Sequence, residues 1–291
     1  MCKRIKNAVA VLFSFLFVLT IFAVSGCGDK NYDYTYTFGV DYNSNYTVNS
    51  INHRGYYTAP ENTLSAYRES AMNGFTMVEC DVSFTKDERP VLLHDDTVDR
   101  TSNGTGNIED LTFEEVRALD FGSWKSEQYC GEQIPSFEEF ISLCRNLSLY
   151  PYIDVRFKIS DEQIKALIGT VAKYGMLDKV TWISSSKKCL RKVVDVDNGA
   201  RIGLVVNYVT RESIDDLLGL TEERDKAFLN CDYGNVDDEA IELCIEARIP
   251  LEVWTVDNEE TILNLDPYIS GVTSDTLVAG QVLYNNAIGR N

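Results

Sequence analysis

From residue 51 onward the chain repeats one rhythm eight times: a short run of β-branched and apolar residues, then a longer amphipathic stretch. The short runs fall at 51–55, 77–82, 150–155, 180–184, 201–206, 227–231, 251–256 and 271–274. Helix patterns fall at 61–73, 136–145, 161–174, 186–196, 211–218, 236–247 and 259–265, several opened by Ser, Thr or Asp of capping type. Strands joined by helical crossovers lie parallel, and eight of them suggest an α/β chain closed into a (β/α)8, or TIM, barrel. Residues 51–291 match the ~250 residues typical of that fold, in which reactive groups collect at the C-terminal ends of the strands.

One stretch breaks the rhythm. Between Val82 and Val91 there is no room for the dozen or so residues a parallel crossover needs, so a hairpin is expected. A turn centred on Lys86-Asp87 pairs Thr85 with Glu88 and sets Glu79 opposite His94. Side chains alternate along a strand, so Glu79 and Asp81 share one face and Cys80 takes the other. Residues 95–135 then form an excursion longer than a plain βα loop, a small insertion expected to cap the site.

The chain before residue 51 reads differently. Lys3, Arg4 and Lys6 precede an uncharged, mostly apolar run from Ala8 to Val24, the pattern of an export signal. The run ends in Val24-Ser25-Gly26-Cys27, which resembles a bacterial lipobox. That resemblance implies cleavage of a signal peptide, residues 1–26, acylation of Cys27, and a lipid anchor on the outer face of a bacterial membrane. Residues 27–50 read as a polar, tyrosine-bearing tether that ends in a short strand, and 51–291 as the barrel domain.

Charge narrows the partners. Lys and Arg number 27 against 45 Asp and Glu, a formal charge of −18, and nucleic acid is gathered by basic patches, so nucleic-acid binding is excluded as an expectation. Losing residues 1–26 would remove three basic residues and no acidic ones. Past Cys27, the cysteines at 80, 130, 144, 189, 231 and 244 fit no zinc spacing, and they read equally as small buried residues or as bridges.

The chemistry gathers around two histidines, His53 and His94, the only ones in the chain. His53-Arg54-Gly55 is followed by Ala59-Pro60-Glu61-Asn62-Thr63, then Glu79-Cys80-Asp81, Thr85-Lys86-Asp87, His94-Asp95-Asp96 and Arg100-Thr101. In this order and near these spacings, the blocks resemble the glycerophosphodiester phosphodiesterase family. The likeness is densest over 52–124 and continues more weakly through Ser184-Ser185, Val253-Trp254-Thr255-Val256 and Thr273-Ser274-Asp275.

The resemblance implies a TIM barrel and metal-dependent hydrolysis of glycerophosphodiesters to sn-glycerol 3-phosphate and an alcohol. It makes His53 and His94 the acid/base pair, a task suited to imidazole, whose pKa lies near ~6.5. Arg54 would hold the phosphate by charge-assisted hydrogen bonds. Glu79 and Asp81 would hold one divalent cation, Ca2+ or Mg2+, through hard oxygen ligands, with export favouring Ca2+. Glu61 either orients Arg54 or joins the metal shell. Trp254 is expected against the substrate's alcohol, with strand packing as the alternative; Trp182 and Ser184 are placed no better than evenly between site and core.

The chain departs from the family at its later acid. Where Glu-x-Lys is usual, Ile153-Asp154-Val155-Arg156 offers Asp154 as third metal ligand and Arg156 as second phosphate clamp, with Lys158 as a rival for the latter. Two other functions stay open: a lysophospholipase D or phospholipase-C-like activity, and a lipoprotein that binds phosphodiesters without cleaving them.

Overall fold

The computed structural model describes residues 48–156 and 158–287. The predicted signal peptide, the lipidation site Cys27 and the tether up to residue 47 lie outside the described residues. Eight strands run parallel: β1 (Asn49–Asn52), β2 (Met77–Phe84), β4 (Tyr150–Val155), β5 (Thr181–Ser184), β6 (Arg201–Val206), β7 (Ala227–Asp232), β8 (Leu251–Trp254) and β9 (Ile269–Ser274). They pair in the order β1-β9-β8-β7-β6-β5-β4-β2, and β1 pairs β2, which closes the ring. This is the expected TIM barrel.

Around it pack α1 (Leu64–Met72), α3 (Phe137–Leu147), α4 (Asp161–Lys173), α5 (Lys187–Val196), α6 (Arg211–Leu218), α7 (Asp238–Ala247), α8 (Glu259–Leu263) and α9 (Ala279–Ala287). Side-chain caps start many of them: the oxygens of Thr63, Ser136, Ser160, Thr210, Asp237 and Asn258 each accept a first-turn backbone N–H. Strand alternation then sorts the core. Val78, Cys80, Ile153, Trp182, Leu229 and Val253 face outward into the helix layer, and Ile51, Met77, Tyr152, Ile183 and Phe228 form a separate apolar layer inside the ring. Gly203 makes room for that layer, since a Cβ there would lie 2.3 Å from Cζ of Phe228.

On the N-terminal side of this plug sits a buried polar set. One oxygen of Glu252 accepts from Arg201 Nη2 at 3.0 Å, Tyr152 Oη at 3.1 Å and Asn49 Nδ2 at 3.2 Å. On the C-terminal side lies the mouth.

The hairpin exists, with a different register. β3 (Pro90–Leu92) is antiparallel to the end of β2 and pairs Val82 with Leu92 and Phe84 with Pro90. The loop therefore holds three residues, Lys86 to Glu88, closed by Thr85 N–H to the Arg89 carbonyl at 3.0 Å, with Glu88 left-handed at φ 59°. A two-residue loop needs positive φ at both positions (type I′) or a glycine at the first (type II′), and Lys86-Asp87 suits neither, whereas the three-residue loop needs one positive-φ residue, at its end. His94 thus lies past the end of β3, and Leu93 is the residue whose N–H reaches Asp81 O, at 3.1 Å. The insertion has its own small core of Val91, Leu93, Val98, Ile108, Val116, Phe121 and Ile134, and it carries the short helix α2 (Phe113–Arg117), which the sequence pattern did not reveal.

Candidate active site

The turn after β1 is fixed by two backbone demands. Arg54 and Gly55 both have positive φ, at 55° and 89°, and a Cβ on Gly55 would come within 2.4 Å of the Ala66 Cβ on α1. Only glycine fits, and the tight turn leaves Arg54 N–H donating to Glu79 Oε2 at 3.0 Å. The arginine side chain reaches Glu61 at 3.1 Å through Nη1 and Asp81 at 3.2 Å through Nε.

The Pro-Glu-Asn-Thr segment supplies three different supports. Thr63 caps α1. Asn62, left-handed at φ 56°, donates through Nδ2 to Asp81 Oδ2 at 2.9 Å, and its side-chain Oδ1 accepts from Tyr67 Oη at 2.9 Å and from the Asp81 N–H at 3.2 Å. Glu61 joins Arg54 to Arg100, as described below. In this geometry Glu61 is an arginine partner, and the acids that cluster are others.

Those others are Glu79, Asp81 and Asp154, with ligand oxygens all within 4.8 Å of one another. β2 and β4 pair Asp81 directly beside Asp154, so the parallel register itself brings them together. Arg156, two residues on along the same strand face, donates through Nη2 to Asp81 Oδ1 at 3.0 Å. Lys158 is exposed and lines, with Arg156, Ser83, Asp96 and Glu109, a cavity of about 520 Å³.

Electrostatics separates the three acids. Burial pushes the Glu79 carboxyl up to about 8, reinforced by Asp81. Burial likewise raises Asp154, again with Asp81 adding to it, to about 7. Burial acts on Asp81 too, but Arg54, His94 and Arg156 outweigh it and hold its pKa low. Three carboxylates this close do not all stay ionised unaided. The donor set is all oxygen and carries an excess of negative charge, which fits a hard divalent cation.

Each histidine is steadied by its own carboxylate. His53 Nδ1 lies 2.8 Å from Asp275 Oδ1, and His94 Nδ1 lies 2.7 Å from Asp95 Oδ1. A carboxylate acceptor fixes the proton on Nδ1 and leaves Nε2 as the exchanging atom. Burial lowers the His53 pKa, but the Asp275 hydrogen bond and the nearby Glu79 reverse that, and the net shift is upward.

Arg100 ties the two halves of the mouth together. Its guanidinium spans Asp95, at 2.7 and 3.1 Å, and Glu61, at 2.7 and 2.8 Å. These hydrogen bonds hold Asp95 far below the usual carboxylate range. A continuous chain therefore runs from His94 through Asp95, Arg100 and Glu61 to Arg54.

On the far wall, Trp254 at the end of β8 is half-buried, and its Nε1 donates to the Asn230 carbonyl at 3.2 Å. Trp182 and Ser184 belong to the core instead: the indole is fully buried in the helix-facing layer, and the Ser184 hydroxyl donates to Val155 O at 2.5 Å. The cysteines at 80, 130, 144, 189, 231 and 244 are free thiols, all buried except Cys130.

The structure thus brings His53, Arg54, Glu61, Glu79, Asp81, His94, Asp154 and Arg156 to one mouth. Sequence reasoning gave no role to Asn62, Asp95, Arg100 and Asp275. For Asp95 the signal was its adjacency to His94, and for Asp275 its place just past the last strand.

Comparison with known proteins gives a consistent likeness. Residues 53–278 match the model of the glycerophosphoryl diester phosphodiesterase family. The chain is 32% identical over 222 residues to a glycerophosphodiester phosphodiesterase of Caldanaerobacter subterraneus subsp. tengcongensis, covering 72% of this chain and 86% of that one. Human glycerophosphodiester phosphodiesterase 1 is 46% identical over 112 residues, which is 38% of this chain and only 34% of the human protein. The match thus spans about a third of that relative's length. Among solved structures, an Oleispira antarctica phosphodiesterase in complex with the product sn-glycerol-3-phosphate superposes with a TM-score of 0.74 at 26% identity, covering 82% of this chain and 96% of that one.

Proposed function

Because the chain belongs to the glycerophosphoryl diester phosphodiesterase family, we propose that it is a phosphoric diester hydrolase that cleaves glycerophosphodiesters to sn-glycerol 3-phosphate and an alcohol. The observation that carries this reading is an unbalanced trio of acids flanked by two histidines, each with a carboxylate on Nδ1. A pure binding protein has no chemical use for that pairing.

Glu79, Asp81 and Asp154 would hold one divalent cation, Ca2+ or Mg2+. Bound there, it would supply Lewis-acid polarisation of a phosphoryl oxygen. Arg54 and Arg156 reach the same wall and would neutralise the remaining phosphate charge, Arg156 with a planar fork that pairs two oxygens. His53 and His94 would divide the proton traffic, one Nε2 accepting from the nucleophile and the other donating to the leaving alkoxide. Asp275 and Asp95 keep each ring in the tautomer this requires.

We also propose that the protein is exported and held on the outer face of the membrane by lipid on Cys27. What supports this is the basic start, the apolar run to Val24 and the Val24-Ser25-Gly26-Cys27 ending.

The test is release of glycerol 3-phosphate from glycerophosphocholine, with and without a chelator, by wild type and His94→Ala. Expected is chelator-sensitive turnover that falls by about 10²–10⁴-fold in the variant. Binding without turnover in the wild type would leave the non-catalytic reading standing.

A further inference from the structure

Among the described polar side chains of the barrel interior that this reading leaves unused is one on β7. Asn230 on β7 is 3% exposed, and its Oδ1 has no hydrogen-bond partner. Buried acceptors are almost always paired, so an orphan facing a site points to a group that arrives with the ligand.

Its position follows from the ring and from strand alternation. The barrel order β1, β2, β4, β5, β6, β7, β8, β9 puts β7 four places from β2 in either direction, directly across the lumen. Asn230 lies two residues past Phe228 of the apolar plug, as Glu79 lies two past Met77 and Asp154 two past Tyr152. It therefore stands one inward step above the plug, in the tier of the acids and on the opposite wall. Its backbone carbonyl takes the Trp254 indole N–H, which ties the end of β8 to β7 at this level.

We propose that Asn230 Oδ1 accepts a hydrogen bond from the terminal hydroxyl of the substrate's glycerol. A phosphate gripped on the β2–β4 wall by Arg54 and Arg156 leaves its glycerol carbons to cross the mouth, and the terminal hydroxyl is the donor farthest from phosphorus. Asn230 is then a specificity determinant for a free glycerol end. A diester acylated at that oxygen has no O–H to give, so the same contact disfavours lysophospholipids, whose activity stood among the readings open from the sequence. This inference rests on the proposed function and specifies its substrate.

The test compares two diesters that release the same alcohol: glycerophosphocholine, and 2-hydroxypropyl phosphocholine, which lacks only the terminal hydroxyl. The readout is choline release as kcat/KM. Wild type should prefer glycerophosphocholine by about tenfold, the value of one neutral hydrogen bond, and Asn230→Ala should bring the ratio close to one. Because the ratio is taken within each variant, a partly folded sample scales both substrates equally. Asn230→Ser, which shortens the acceptor, serves where the alanine variant fails to accumulate, and it should lose most of the preference. A wild type without preference, or a ratio unchanged in the variants, overturns the role of Asn230 and leaves the hydrolase reading intact. Cleavage of neither diester by the wild type would overturn both.

Discussion

At the N-terminal end of the barrel, one buried carboxylate, Glu252, meets one buried guanidinium, Arg201, and two neutral donors complete the set. At the mouth, three carboxylates crowd within 4.8 Å while the guanidiniums of Arg54 and Arg156 both bind the same acid, Asp81. The two sets lie on either side of a single apolar plug and both use inward-facing strand positions, with β4 contributing Tyr152 to one and Asp154 to the other. What differs is balance. The inner set matches one carboxylate with one guanidinium beneath the plug, so it serves as architecture. The outer set is short of positive charge, and that shortage is consistent with a divalent cation there.

The sharpest way to break this contrast is to unbalance the inner set. Arg201→Leu strands Glu252, whose pKa burial already raises. The variant should lose about 3–5 kcal/mol in urea unfolding while kcat per folded molecule stays at the wild-type value. A fall in kcat without loss of stability would show that the inner set serves the reaction.

The same kind of change at the mouth should have the opposite sign. In the metal-free protein Glu79→Gln removes a charge that its neighbours oppose, and stability should rise by on the order of 1–2 kcal/mol near pH 8. The folded Glu79 pKa is raised, from 4.5 to about 8. Its contribution is therefore complete below the unfolded value and is lost as pH climbs through that interval. Melting curves of metal-free wild type should accordingly decline from pH 5 to pH 8, those of Glu79→Gln should decline less, and added Ca2+ should raise the wild-type midpoint more at pH 8 than at pH 5. Parallel curves for the two proteins would remove Glu79 from the unbalanced set.

A third substitution touches neither set and gauges the background. Glu88 occupies a left-handed turn position, and its side chain accepts from Gln163 at 2.6 Å on the surface. Glu88→Gly relieves the backbone and forfeits that exposed contact, for a net gain of about 0.5–1 kcal/mol with activity unchanged.

Much of this was legible in the chain. The edges of β4, β6 and α6 coincide with the sequence pattern, because those elements are bounded by clear polar turns and capping residues. The acids and histidines were legible because strand alternation and an unusual scarcity of histidine mark them. The hairpin register was not, since one extra loop residue costs little and moves every pairing. β1 also starts earlier and ends sooner than its apolar run suggests, because the positive φ of Arg54 and Gly55 stops the strand. The supporting residues were the hardest to see. Asp275 meets His53 across 222 positions of sequence, and Arg100 meets Glu61 across 39, so only the closed ring reveals them.

That ring closure also bears on truncated chains. β1 pairs β9, His53 N–H donates to Ser274 O at 3.0 Å, and the imidazole finds Asp275 one residue later. The first and last strands meet at a seam, and His53 is seated on it. A fragment ending before β9 would carry all three clustered acids but neither the seam nor the Asp275 partner of His53.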